Sequence, residues 1–265
     1  MAVRWRATLE YDGGGFAGWQ VQPGARTLQA AVDEALSRMA GHEVRCVASG
    51  RTDAGVHAAA QVISFDLDVA RGPDNVRDAL NARLPEDVAC LAAEVAPVGF
   101  DARRWVLDKR YRYTFLARRA RSALLAHRAW HVRAPLDVPS MDEAVRVIVG
   151  RHDMSAFRAA GCGATHPVRT VYASNVVAEG DLVHLDVVGN GFLRHMVRNI
   201  AGALHEVGRG KRPASWMTEL LASRDRRNGA LTAPAHGLML MEVRYGDGPA
   251  PWKAVEADDG LDEDP

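Results

Sequence analysis

Cysteine is scarce in this chain. Cys46, Cys90 and Cys162 are scattered, odd in number and without paired metal-ligand spacing, a usage that points to a reduced, cytoplasmic setting. No apolar run approaches the roughly 20 residues that cross a bilayer, so no membrane partner is expected. The opening residues, Met1-Ala2-Val3-Arg4-Trp5-Arg6, lack the apolar stretch of a signal peptide. A formal net charge is missing too, but only because the charge is unevenly placed. Residues 247–265 carry seven acids and one base; taking them from the 33 acids and 33 bases of the whole leaves 26 acids and 32 bases, a body of net +6. The basic residues of that body are overwhelmingly arginine. Either the planar guanidinium fork is there to donate in pairs to phosphate, or an Ala- and Arg-rich chain reflects GC-rich codons. Composition does not separate the two.

At 265 residues, 48% of them hydrophobic and 25% charged, the chain has the make-up of a soluble globular protein, as one large domain or two fused halves. Residues 4–10 alternate as a strand and lead into Tyr11-Asp12-Gly13-Gly14-Gly15-Phe16-Ala17-Gly18-Trp19-Gln20. That glycine-rich stretch lacks the lysine and serine of a P-loop and reads as a flexible surface loop, packed down at the end that holds Phe16 and Trp19. Thr27 then caps a helix with Leu28, Val32, Leu36 and Met39 on one face, ended by Gly41. Strands at Val44–Ala48 and Gln61–Phe65, a helix near 74–84 and a strand near Val88–Val95 complete a β-α-β-β-α-β order. The second half repeats the plan with additions. Strands are expected at Arg110–Leu116 and Trp130–Val132, and a capping box of Ser140 and Glu143 starts a helix that runs to Gly150. A hairpin over Thr170–Val177 and Leu182–Val188 follows, then a helix from Phe192 to Val207, a shorter helix after Pro213 and a strand from Leu238. The fold class is therefore α+β: two ferredoxin-like halves, 1–105 and 106–246, joined edge to edge into one extended mixed sheet with a central cleft, and a disordered acidic tail over 247–265.

Between the second and third strands lies Ser49-Gly50-Arg51-Thr52-Asp53-Ala54-Gly55-Val56-His57. Two strands joined by such a loop hold a side chain on a rigid support while leaving it reachable. The bland alternative is a tight turn in which Gly50 and Gly55 supply unusual backbone angles and Asp53 caps its own turn. Spacing alone favours the turn.

Gly50 to His57, however, resembles without a mismatch the G-R-T-D-A-G-V-H signature of the tRNA pseudouridine synthase A family. The resemblance continues in Glu10-Tyr11-Asp12-Gly13, Gly18-Trp19-Gln20, Asn81-Ala82-Arg83-Leu84-Pro85, Phe100-Asp101-Ala102-Arg103, Arg110-Tyr111-Arg112-Tyr113 and Phe192–Asn199. These blocks run from about residue 8 to 245. What the resemblance implies is specific: uridine becomes pseudouridine at positions 38, 39 and 40 of the tRNA anticodon stem-loop, with no cofactor and no catalytic metal. Family members are homodimers, and the tRNA reaches across both subunits. Asp53 matches the catalytic aspartate, and a carboxylate suits either covalent attack at C1′ or a glycal-type path. Tyr111 matches the tyrosine that lies against the target base. Tyr113, two residues on, faces the same side of the strand.

Arg194 and Arg198 stand four apart on the helix expected there and share a face; the second matches the family arginine that ion-pairs with the catalytic aspartate. Arg51 either contacts phosphate or orients the loop. Two arginine clusters, Arg103, Arg104, Lys109, Arg110 and Arg112, and Arg224, Arg226 and Arg227, are candidates to grip the RNA backbone. Around Phe157–Pro167 this chain is blander and more glycine-rich than the family pattern, so the loop there is expected to be flexible. Two competing readings are a catalytically silent RNA-binding protein of the same fold and an aspartate-nucleophile hydrolase. The intact loop argues against the first. The single loop carboxylate argues against the second, because glycoside hydrolysis calls for a pair.

Overall fold

Trp5, Ala7, Leu9 and Tyr11 occupy alternate positions of strand β1 (Val3–Tyr11) and all are buried, the pattern of a strand with one face on a core. A computed structural model describes residues 2–68 and 72–250, which divide into two compact units: 2–107 with 240–250, and 108–239. These residues form ten strands and five α helices, with antiparallel pairs and one parallel pair. The protein is α+β.

In the first unit β1 lies between β3 (His57–Leu67) and β4 (Val88–Val95), antiparallel to both, and β2 (Val47–Ala48) pairs with β3. With α1 (Leu28–Ala40) and α2 (Pro73–Asn81) the order is the β-α-β-β-α-β read from the sequence. Leu28, Val32, Leu36 and Met39 are the buried stripe of α1, and Gly41 ends it with φ of 80°, a conformation glycine adopts without steric cost. Thr27 stands at the N-cap position but its side chain makes no capping bond.

Two elements are shorter than expected, and their backbone bonds explain why. The Val44 and Cys46 amides donate to Ser37 Oγ (2.9 Å) and Asp33 Oδ1 (2.9 Å) on α1, not to a strand. Helix α2 stops at Asn81 instead of 84, because the Asn81 side chain brackets Cys90 on β4, accepting from its amide at 2.7 Å and donating to its carbonyl at 2.9 Å. Pro85 follows, which disfavours helix in the residue before it.

The second unit is built on β5 (Val106–Ala117), β9 (Leu182–Gly189), β8 (Val168–Glu179) and β7 (Gly150–Asp153), antiparallel in that order. The short β6 (Trp130–Val132) pairs parallel to β5. Helices α3 (Val138–Val145), α4 (Met196–Gly208) and α5 (Trp216–Ser223) belong to it. Helix α4 is buried almost all round, and Gly202 is obligatory there: a Cβ would lie 1.9 Å from the Leu231 carbonyl oxygen.

The N-cap of α3 is Asp137, not Ser140. Asp137 accepts from the Ser140 amide at 3.1 Å and from its hydroxyl at 2.7 Å, so the helix begins two residues before the expected capping box. Strand β7 carries no sequence signal of a strand, since Arg151-His152-Asp153 shows no apolar alternation. From Leu240 onward β10 (Leu238–Tyr245) groups with the first unit. There Tyr245 packs against Phe100, at 5.1 Å between ring centroids, and donates to the Ala102 carbonyl at 2.8 Å. Of the acidic tail, residues 251–265 lie outside the described residues; Ala250 is buried and its amide donates to the Arg104 carbonyl at 3.1 Å. Among the described residues no helix is long and apolar enough to cross a membrane.

Candidate active site

The stretch from Ser49 to His57 alternates between groups turned into the first unit and groups left accessible. Ser49, Thr52, Val56 and His57 are buried, Asp53 is half-buried and Arg51 exposed. Burying a polar group costs free energy unless it is paired, and the pairing here comes from three other segments. Gln61 on β3, itself fully buried, donates from Nε2 to the Gly50 carbonyl at 2.8 Å and accepts from the Ser49 hydroxyl at 2.6 Å. The Tyr11 hydroxyl at the end of β1 shares a hydrogen bond with Thr52 Oγ1 at 2.8 Å. Burial pushes the Tyr11 phenol's pKa up, against the opposing hydrogen bonds with Thr52 and Gln61, so it stays neutral at physiological pH. The Trp19 amide donates to the Thr52 carbonyl at 3.0 Å. Thr52 is thus gripped at both its side chain and its backbone, directly beside Asp53.

The glycine-rich stretch does not behave as the flexible loop expected of it. Residues Gly13–Gly15 form a 3-10 turn capped by Asp12, and Phe16 and Trp19 are buried. A Cβ on Gly13 would meet the Val56 carbonyl oxygen at 2.0 Å. One on Gly18, whose φ is 106°, would sit 3.1–3.4 Å from the backbone of Thr52 to Ala54. The two loops therefore touch backbone to backbone. His57 pins them from below: the Gly13 amide donates to its Nδ1 at 3.1 Å, and Asp12 Oδ1 lies 3.0 Å from the same nitrogen. Tyr11, Gly13, Gly18 and Trp19 thus brace the Asp53 loop.

In the second unit, Tyr111 on β5 is buried with its ring edge-on to Phe192, 5.0 Å between centroids. Tyr113 shares its side of the strand, as spacing requires, but its hydroxyl donates to the Pro234 carbonyl at 2.9 Å and its ring occupies the space a side chain at Gly237 would need. Arg198 lies in the first turn of α4. Its Nε donates to the Ala233 carbonyl at 2.8 Å while the Ala233 amide donates to the Arg198 carbonyl at 3.1 Å, a reciprocal pair that sets the direction of the side chain.

Arg194 is not on that helix. His195 adopts a left-handed φ of 60° and caps α4, so the helix starts at Met196. Arg194 reaches instead to the Gly161 carbonyl at 3.4 Å, and the shared face expected for Arg194 and Arg198 does not exist.

Several arginines read as RNA contacts are committed to the protein itself. Arg112 makes a two-point pair with Asp186 at 3.1 and 2.8 Å. Arg226 donates to Asn199 Oδ1, the Ala230 carbonyl and Thr232 Oγ1, tying residues 226–232 to α4. Arg227 pairs with Asp225 at 2.7 Å and draws that carboxyl down to about 2. The glycine-containing loop after Phe157 is likewise held, by Arg158 donating to the Cys162 and Ala164 carbonyls at 2.7 and 2.6 Å.

Comparison with known proteins places these features in a lineage. A family model described as tRNA pseudouridine synthase matches residues 7–103 and 144–246. The chain is 48% identical over 247 residues to tRNA pseudouridine synthase A of Myxococcus xanthus, covering 93% of each chain. It is 48% identical over 237 residues to the protein of that name from Methylococcus capsulatus strain Bath, covering 89% of this chain and 88% of that one. With the Geobacter sp. strain M21 protein of the same name the identity is 45% over 238 residues, 89% of this chain and 96% of the other.

Proposed function

The chain belongs to the tRNA pseudouridine synthase family, and on that footing we propose that it isomerises uridine at positions 38, 39 and 40 of the tRNA anticodon stem-loop, with Asp53 as the catalytic carboxylate. The protein is an isomerase that makes pseudouridine in tRNA; the positions and the residue are the proposal. The observation that carries it is the construction of the Gly50–His57 loop, where Thr52 before Asp53 and His57 beyond it are buried and hydrogen-bonded while Asp53 itself stays half-accessible. A fold spends buried polar groups on a loop when the position of one side chain matters.

In the proposed reaction the N1–C1′ bond breaks as the Asp53 carboxylate supplies negative charge at C1′. The uracil turns, C5 bonds to C1′, and the proton on C5 leaves as N1 gains one. Nothing is oxidised or added, so the chemistry calls for no cofactor. Tyr111 serves as the aromatic surface for the base, and Arg51 and Arg198 as substrate-binding cations. A target uridine paired in a stem must first be unstacked, at a cost of a few kcal/mol, which RNA-backbone contacts offset. The free thiols Cys46, Cys90 and Cys162 fit work in the reducing cytoplasm, and the family resemblance supports a homodimer.

Tritium release from C5-labelled uridine in tRNA tests the assignment. Wild type should release tritium and Asp53→Asn should not, with the folded state unchanged by circular dichroism. An active Asp53→Asn enzyme would remove Asp53 from the chemistry. Wild type that binds tRNA without releasing tritium would favour a silent RNA-binding protein.

A further inference from the structure

From Lys109 to Leu136 the chain holds eight lysines and arginines and not one acid. Part of this run is strand β5, but residues 118–129 are the crossover that carries the chain from β5 to its parallel partner β6. Because Ala117 pairs with Val132, and the Arg118 amide donates to the Val132 carbonyl at 3.1 Å, Arg133 emerges at the same end of the sheet as Arg118 and Arg119.

The arginines of this crossover divide into two kinds. Arg118 is spent on the loop itself: its guanidinium donates to the Ala120 carbonyl at 2.9 Å, the Arg121 carbonyl at 3.4 Å and the Asp181 carboxylate at 3.1 Å. His131 Nε2 adds a fourth tie, to the Arg118 carbonyl at 2.9 Å. The turn beyond is closed by the Leu125 amide on Ser122 Oγ and by the Arg128 and Ala129 amides on the Leu125 carbonyl. By contrast Arg119, Arg121 and Arg133 are exposed, and their guanidinium groups have no hydrogen bond or ion pair among the described residues. Leu124, at the tip, is 92% exposed. An internally braced loop that holds unneutralised arginines outward is a phosphate-binding surface in form. With no ion pair to these three guanidinium groups among the described residues, their planar forks stay available to phosphate.

We propose that this crossover is an RNA-backbone contact separate from the site of chemistry, with Arg119, Arg121 and Arg133 each on a phosphate of the tRNA outside the reacting stem-loop. The assignment rests on the reading of the protein as a tRNA pseudouridine synthase. The placement follows from distance along β5: Ala117 is six residues from Tyr111, about 20 Å at the rise of a strand. The loop therefore meets RNA about 20 Å from a base held at Tyr111, on the order of six base-pair steps at roughly 3.4 Å each.

The test compares wild type with Arg119→Ala/Arg121→Ala/Arg133→Ala and with the triple lysine replacement, on full-length tRNA and on an isolated anticodon stem-loop. Binding is read by fluorescence anisotropy across salt concentrations and turnover by tritium release. The alanine variant should bind full-length tRNA roughly tenfold or more weakly at 0.1 M salt, with the slope of log K against log salt shallower by about two to three. Its affinity for the stem-loop and its kcat on saturating tRNA should match wild type, and the lysine variant should restore the slope. An unchanged slope on full-length tRNA would overturn the proposal, as would equal losses on both RNAs, which would put the loop at the target hairpin. Wild type inactive in tritium release would refute the underlying reading instead, while the anisotropy series still judges the loop.

Discussion

Replacing Tyr11 by Phe removes one oxygen from behind the Asp53 loop and nothing else. The consequences follow from who loses a partner. Gln61 keeps its bonds to the Gly50 carbonyl and the Ser49 hydroxyl, so its 3.4 Å contact with the phenol is dispensable. Thr52 is not so placed: it is 5% exposed and the Tyr11 hydroxyl at 2.8 Å is the partner of its side chain. A buried hydroxyl stripped of its partner costs about 1–3 kcal/mol. At about 2 kcal/mol the melting temperature should fall by roughly 4–8 °C. Thr52→Val should cost a similar amount, but the double variant leaves no orphaned hydroxyl, so the two changes should couple by about 1 kcal/mol. Thr52 adjoins Asp53 in the chain, and for that reason the loss should appear in kcat, about tenfold, with KM for tRNA little changed. Urea unfolding of the four proteins measures the first quantity and tritium release at saturating tRNA the second. Additive stability losses, or a full kcat in the destabilised Tyr11→Phe enzyme, would refute the view that this hydrogen bond positions the carboxylate.

Other outcomes follow from the same geometry. Gly13→Ala should be more damaging than any of these, because a Cβ 2.0 Å from the Val56 carbonyl oxygen must push two backbones apart; the expected result is loss of kcat ahead of loss of soluble protein. His57→Asn retains an acceptor for the Gly13 amide and should keep much of the activity that His57→Leu, of comparable size, loses; equal activities would show that the imidazole only fills space. Alkylation at neutral pH should label one thiol quickly. Cys162 is half-exposed and, although burial opposes it, backbone amides and Arg158 lower its pKa, whereas burial raises Cys46 well above the usual range and Cys90 to about 11; peptide mapping identifies the site. Burial, aided by the Arg112 charge, depresses the His184 pKa below 6.5. A histidine depressed in the folded state contributes stability above its unfolded value that is lost as pH falls, so stability should decline on acidification below pH 6.5. His184→Gln should flatten that decline in urea titrations taken between pH 7 and 5.

Apolar periodicity made the first unit legible because its elements are amphipathic and short-range in their logic. Leu28, Val32, Leu36 and Met39 mark α1 at helical spacing, and Trp5 to Tyr11 mark β1 at spacing two. What periodicity missed are places where side chains take over backbone bonds. Ser37 and Asp33 absorb the amides that would have extended β2, Asn81 ends α2 by turning to β4, and Asp137 captures both the amide and the hydroxyl of Ser140. The first three depend on partners 7 to 13 residues away, whereas Asp137 stands only three residues before Ser140 and competes with it for the cap. Helix α4 starts later than its apolar register suggests for a different reason: Phe192 and Leu193 are apolar in helical register, but His195 takes a left-handed conformation that nothing in its residue type demands.

The candidate site divides along the same line. The eight residues from Gly50 to His57 could be matched by eye, yet their spacing alone reads as an ordinary turn. What distinguishes this loop from a turn is long-range: Tyr11 reaches Thr52 across 41 positions and Gly13 reaches His57 across 44. Trp19 and Gly18 come up against the Thr52–Ala54 backbone from a third segment. Gly13, Gly18 and Trp19 carry no acid, base or nucleophile, which is why a search for such groups passes over them. Their effect is to remove freedom from Thr52 on one side of Asp53 and from Val56 and His57 on the other. On the proposal that Asp53 is the catalytic carboxylate, fixing its neighbours in this way spends conformational entropy on folding instead of on the reaction, where orientation of a reacting group is worth several kcal/mol of barrier. The glycines at 13 and 18 are part of the same device, since only a residue without a side chain lets two loops approach closely enough for the second to fix the first.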